Sequence, residues 1–176
     1  MRWLSVIMAT VTIACGSALL VWHHRATHSI EAGAEATRRA VVALNSQVRF
    51  RAAVSRPGLD APEEAEVQTQ VNQRGWPVTI EPAWFGTAPP VNRLTPAGCP
   101  WIEIATGGEL HRTNPNVRVA LDRDTASFWY NPALGIVRAR VGPTATDEQA
   151  VALYNRVNAT AVAAIVEAPA DVDDAP

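Results

Sequence analysis

The feature that most constrains this chain is an uncharged segment at its amino end, from Trp3 to Trp22. Its 20 residues match the length of helix that crosses the hydrocarbon core of a bilayer. Tryptophans at both ends suit the two membrane interfaces, and Arg25 follows as a basic anchor. The sequence therefore predicts a short cytoplasmic tail at residues 1–2 and a transmembrane helix at residues 3–22.

Two other interpretations of this segment involve processing. A cleaved signal peptide would use Arg2 as its basic start, but the apolar run is longer than usual, and the small-residue site Ala32-Gly33-Ala34 lies 12 residues past Trp22. A lipoprotein would use Cys15, but the apolar run continues beyond it. We favour an uncleaved, single-pass anchor, with the globular domain outside the cytoplasm because the tail before the span is so short.

A second helix is predicted over residues 23–56, where apolar or small residues recur every three or four positions. This spacing places them on one face of a helix. The stripe comprises Ile30, Ala34, Thr37, Val41, Leu44 and Val48. Pro57-Gly58 ends the helix. The stripe either covers the core of its own domain or forms a seam with other chains, and both are compatible with the pattern.

The remaining residues predict a linker, one small domain and a tail. Residues 57–75 form the linker, with a short helix capped by Asp60 and stopped by Gly75. Residues 76–168 form an α+β globular domain with short β-like runs at 76–81 and 101–105. Residues 169–176 are acidic and proline-bearing, which predicts disorder.

The strongest β pattern predicts a three-stranded antiparallel meander. Its strands would cover 117–121, 126–130 and 136–141, with Arg138 and Arg140 on a solvated face. A helix should follow, capped by Thr146 and Gln149, with an apolar face that reaches Ile165. The fold class is α+β: a long amino-terminal transmembrane and amphipathic helix, a small antiparallel sheet and a carboxy-terminal helix.

Composition excludes several functions. The 15 basic residues are all arginine and the 17 acidic residues outnumber them, for a net charge of −2, which does not indicate nucleic-acid binding. Cys15 and Cys99 lie in unlike segments, so no disulfide is expected. His111 is remote in sequence from the other three histidines, and no acid/base or metal-ligand spacing occurs. The sequence predicts no catalytic residues, no metal and no cofactor.

The aromatic residues offer a candidate binding surface. Trp84, Phe85 and Trp129 could stack on a sugar or a peptide. Small sheets also use aromatic residues as core, and we favour that role. Asn158-Ala159-Thr160 matches a glycosylation acceptor, although it falls inside a predicted helix.

The order of these features resembles the type IV pilins and type II secretion pseudopilins. An apolar helix runs into an amphipathic one, followed by a linker and a small sheet with a Phe128–Pro132 turn. The family's aromatic residue after a leader glycine and its early glutamate have no counterpart here, since Gly16 precedes Ser17. The resemblance implies a minor structural subunit of a secretion or surface fibre, with a lipid bilayer, other pilin-like subunits and envelope proteins as partners. The alternatives are a membrane-tethered cell-envelope adaptor or binding module without catalytic activity and, less favoured, an envelope enzyme.

Overall fold

A computed structural model describes the backbone of residues 2–55 and 69–166, with side chains from residue 28 onward within these ranges. The chain divides into two compact units, Met1–Gly33 and Ala34–Pro176. The elements of the described ranges are helix α1 (Arg2–Val54), a 3₁₀ helix (Pro82–Phe85), strand β1 (Ile102–Ile104), a second 3₁₀ helix (Gly107–His111), strands β2 (Phe128–Asn131) and β3 (Ile136–Ala139), and helix α2 (Asp147–Asn158). The fold is α+β, as predicted.

The first unit consists of the amino-terminal part of α1. Ile30 lies in this unit and is 53% exposed. The predicted anchor residues Trp3, Trp22 and Arg25 belong to α1, but their side chains lie outside the described residues. Within residues 28–55 and 69–166, whose side chains are described, no helix combines the length and apolar character needed to traverse a bilayer.

The second unit is built around a sheet in the order β1-β2-β3. Strand β2 is antiparallel to β3, with Tyr130 opposite Val137, and parallel to β1, with Glu103 opposite Trp129. The sheet is therefore mixed, and the prediction of an antiparallel meander is wrong for its first strand. The β2 and β3 segments were predicted correctly.

Residues 117–121 do not join the sheet as a strand. Val117 and Val119 make single bridges to Val166 and Val141, and Leu121 is 72% exposed. The physical reason is that β1 and β3 occupy both edges of β2. The alternating apolar residues of this segment consequently have no shared buried face.

The main core lies between the sheet and the carboxy-terminal half of α1. Leu44 and Val48 of the helix and Phe128 and Tyr130 of β2 have no exposed surface. Strand alternation directs Phe128 and Tyr130 to the α1 side and Trp129 to the opposite face. A smaller cluster joins Tyr154 of α2 to Val119 and Val141.

Helix α2 begins as predicted but ends early. The Thr146 hydroxyl accepts a hydrogen bond from the Gln149 backbone N–H. The helix ends at Asn158 because Ala159 adopts a left-handed conformation, with φ of 51°. The predicted continuation of its apolar face to Ile165 is wrong.

Two predicted segments fall largely outside the described residues. Most of the linker helix would lie within residues 56–68, and the acidic tail lies within 167–176. The described end of the linker, from residue 69, contains a turn in which the Gly75 N–H donates to the Asn72 carbonyl and Val71 bridges Pro77.

Candidate functional site

The predicted helix stripe is mostly internal to the second unit. Five of its six residues are buried: Ala34, Thr37, Val41, Leu44 and Val48. The Thr37 hydroxyl is 3.1 Å from the side-chain oxygen of Asn92 and accepts a hydrogen bond from the Arg93 N–H. Ile30 is the exposed member of the stripe. The five buried residues therefore cover the domain's own core. Ile30, the first residue of the stripe, is the member that presents apolar surface to solvent.

The three candidate aromatic residues do not form one surface. Trp84 lies under the guanidinium of Arg51, at 5.3 Å from the ring centroid. Phe85 packs edge-on against Trp101. Trp129 is fully buried, and its indole nitrogen is 3.5 Å from a Glu109 carboxylate oxygen. Trp129 therefore serves as core on the sheet face that α1 does not cover.

The outer edge of β3 is closed by two asparagine side chains. Asn45 of α1 accepts a hydrogen bond from the Val137 N–H and donates one to the Val137 carbonyl. Asn158 makes the same pair of bonds to Ala139, at 2.7 and 2.9 Å. Val137 and Ala139 are the residues of β3 whose amides point away from β2. The two side chains thus replace a fourth strand.

The sequence did not predict this role of asparagine, and at Asn158 its pattern matched only a glycosylation acceptor. Asn158 is 4% exposed and has its amide engaged on β3, so its use is structural. Asn92 similarly donates to the carbonyls of Ser127 and Arg140. Asn131 donates to three carbonyls of the chain between Glu109 and Arg112.

The sheet face predicted to be solvated is covered instead. Arg140 is 3% exposed and pairs with Glu103 at 2.7 Å, while its other nitrogens donate to the carbonyls of Val117 and Ala126. Burial also lowers the pKa of Arg138. The prediction failed because the loop that contains Val117 lies across this face and supplies carbonyl partners for the guanidinium.

Both tyrosines of the chain are buried in this domain. The Tyr130 hydroxyl donates to the Pro77 carbonyl, and the Tyr154 hydroxyl donates to the Asn114 side chain. Burial raises the pKa of Tyr130. It also raises the pKa of Tyr154, against the opposing effect of nearby arginines.

A groove of about 520 Å³ lies beside the edge of β3. Its walls come from α1, the β2–β3 turn and the end of α2. Its polar lining includes Arg38, Asn45, Arg49, Arg138 and Asn158, and its apolar lining includes Val41, Val42, Trp76, Leu134, Ile136 and Val157. We call this feature the arginine groove.

The turn that forms one wall of the arginine groove depends on glycine. Gly135 has φ of 65°, a conformation that other residues rarely adopt. A Cβ atom at this position would collide with the indole ring of Trp76. The close approach of Trp76 to the backbone therefore shapes this wall.

Groups with catalytic or metal-binding chemistry are sparse in the described ranges. No three His, Cys, Asp or Glu side chains of the described residues lie close enough to hold a metal ion. The Cys99 thiol lies 3.4 Å from the Asp122 carbonyl oxygen. The hydroxyl of Thr125 lowers the pKa of Asp122, which closes a surface turn. The arginine groove is the candidate site, because it brings guanidinium and amide side chains together with apolar ones.

No protein-family model, characterised protein or solved structure matches this chain.

Proposed function

We propose that this protein is a membrane-anchored structural subunit, similar to a minor pilin or pseudopilin, of a secretion or surface-fibre assembly. The anchor is the apolar segment at residues 3–22, and the domain lies on the extracytoplasmic side. The support for the anchor is its length, its lack of charge and the tryptophans at both ends.

The observation that carries the proposal is the use of one helix for two purposes. Helix α1 includes the apolar segment and also supplies Leu44 and Val48 to the core beneath the sheet. A tether is normally a separate flexible segment, whose removal leaves the domain intact. Here the domain needs the helix to bury Phe128 and Tyr130. This is the arrangement expected of a subunit that assembles through its helix.

Ile30 is the residue of the stripe that is available to neighbouring subunits. It continues the helical spacing of the buried residues, yet it is 53% exposed. Apolar side chains in this position bury surface when helices of adjacent subunits associate. The seam and core interpretations of the stripe thus apply to different turns of α1.

The test replaces Ile30 by a charge and follows assembly in the native membrane. We expect Ile30→Glu to reduce co-purification with other subunits by about tenfold, because a carboxylate would be buried between helices. The matched control is Phe50→Glu, since Phe50 is 56% exposed and lies outside the stripe. Both variants should keep the thermal stability of the parent domain. Normal assembly of Ile30→Glu would refute this function.

A second candidate is a membrane-tethered adaptor, which the arginine groove favours. An adaptor would hold its partner through this groove and would not need helix association. Arg49→Glu should then abolish partner capture from the envelope, whereas Ile30→Glu should leave it unchanged. If the protein is instead a structural subunit, Ile30→Glu should reduce association with its partners and Arg49→Glu should leave it unchanged. The two variants therefore discriminate between the functions.

A further inference from the structure

Strand β1 leaves backbone hydrogen-bonding groups open along its outer edge. The Trp101 carbonyl and the Ala105 N–H bond to β2. Because backbone groups alternate along a strand, those of Glu103 also face β2, and those of Ile102 and Ile104 face away from it. None of the described residues supplies a hydrogen bond to these outward groups of Ile102 and Ile104. Such an edge is a template for an added strand.

The opposite edge of the sheet is treated differently. Asn45 bonds to the outward N–H and carbonyl of Val137, and Asn158 bonds to those of Ala139. No side chain in the described ranges does the same for β1. A further strand can therefore join the sheet beside β1 but not beside β3.

The side chains of β1 on the α1 face define one requirement for an added strand. Ile102 and Ile104 are in register with Phe128 and Tyr130, so they lie on the same face. Both isoleucines pack against the main core but are only partly buried. Every second residue of an added strand would lie beside them, and those residues should therefore be apolar.

The other face of β1 presents negative charge. The Glu103 side chain is 44% exposed, and only its Oε2 atom pairs with the buried Arg140. Glu109 adds a second carboxylate, at 3.5 Å from the indole nitrogen of Trp129, which lies opposite Glu103 in β2. Glu109 makes no ion pair within the described part of the chain. A basic side chain on the added strand would therefore complement Glu103.

A second copy of this chain does not meet the second requirement. The antiparallel register that uses both outward residues of two β1 strands pairs Ile102 of each copy with Ile104 of the other. That register sets the two Glu103 carboxylates directly opposite each other. Like charges at opposed positions destabilise strand pairing.

We infer that the outer edge of β1 binds an extended segment of another protein, in which apolar residues alternate with arginine or lysine. The backbone of that segment bonds to Ile102 and Ile104, and its apolar side chains lie beside theirs. Its basic side chains lie beside Glu103. The site uses neither Ile30 nor the arginine groove, so its failure would leave the proposed function untouched.

Peptide binding and amide hydrogen exchange, both measured on the full chain in detergent micelles, test the inference. The probe is a blocked, fluorescently labelled peptide of alternating valine and arginine, and its control carries glutamate in place of arginine. The protein variant is Ile104→Pro, which removes an outward N–H and leaves the bonds between β1 and β2 in place. Ile104→Val keeps that N–H and is the matched control.

We expect the arginine peptide to bind the parent protein and Ile104→Val about tenfold more tightly than Ile104→Pro, because the proline cannot donate a hydrogen bond. The glutamate peptide should bind the parent protein at least about tenfold more weakly than the arginine peptide. Equal affinity of the two peptides would overturn the inference.

Hydrogen exchange gives a second readout that needs no variant. Binding of the arginine peptide should slow exchange of the Ile102 and Ile104 amides. Unchanged exchange at both amides would overturn the inference. Protection in the protein alone would also overturn it: at every concentration the chain itself would then cover the edge, and with increasing concentration a second copy would.

Discussion

Asn158 and Asn45 act at the scale of single residues, where each amide satisfies two backbone groups on the open edge of β3. Asn158 also donates to the Tyr154 carbonyl within α2, and its bonds to Ala139 join the end of α2 to the sheet. Unpaired amides at a strand edge are costly when buried and invite pairing with other chains when exposed. No hydrophobic period marks such residues, which is why their role could not be predicted from the sequence.

Replacing Asn158 tests this role. Asn158→Ala leaves the N–H and carbonyl of Ala139 without partners, so we expect the free energy of unfolding to fall by about 2–4 kcal/mol. Asn116→Ala is the control, because Asn116 is exposed and its effect should be within about 0.5 kcal/mol. Urea denaturation of both variants provides the comparison. A similar small change for the two would show that the edge amides do not need Asn158.

The buried tyrosines predict how stability depends on pH. Burial raises the pKa of Tyr130 and Tyr154 in the folded state, so the unfolded state loses these protons first as the pH rises. Their contribution is fully present below about pH 10, the ordinary tyrosine pKa, and is lost above it. Tyr154→Phe should roughly halve the decline in the free energy of unfolding per pH unit above that point. Urea titrations at alkaline pH measure this decline. If the free energy of unfolding falls equally fast in Tyr154→Phe and in the parent protein, burial does not raise the pKa of Tyr154.

At the scale of elements, the periodicity of the sequence predicted the features that depend on neighbouring residues in the chain. The α1 stripe, the Thr146 cap and the two strands that form the β2–β3 hairpin depend on residues close together in sequence. Strand β1 pairs with β2 across about two dozen residues, and its partner could not be read from alternation alone. The solvation of Arg138 and Arg140 also depended on a distant loop, so the short-range pattern assigned the wrong environment.

The carboxy-terminal half of α1 supplies buried side chains to the main core. Leu44→Ala removes a fully buried side chain beneath the sheet and should cost about 2–5 kcal/mol of unfolding free energy. Val42→Ala, on the exposed side of the same turn, should change it by less than about 0.5 kcal/mol. Chemical denaturation followed by near-ultraviolet circular dichroism measures both. Equal stabilities would mean that α1 is dispensable to the core.

At the scale of the whole molecule, helix α1 includes the apolar segment at residues 3–22 and also supplies Leu44 and Val48 to the domain core. The candidate site was not predicted from sequence, because its arginines are separated along the chain from Trp76, Leu134 and Asn158, which complete the groove. In the sequence, these arginines entered only the count of basic residues that gave the net charge. Their grouping follows from the packing of α1 beside the β2–β3 turn.

The most direct measurement is the mature amino terminus of the native protein in separated membrane and soluble fractions. The account predicts that the protein stays with the membrane after an alkaline wash and retains residues 3–22. Recovery of the protein in the soluble fraction, beginning after Trp22, would contradict it.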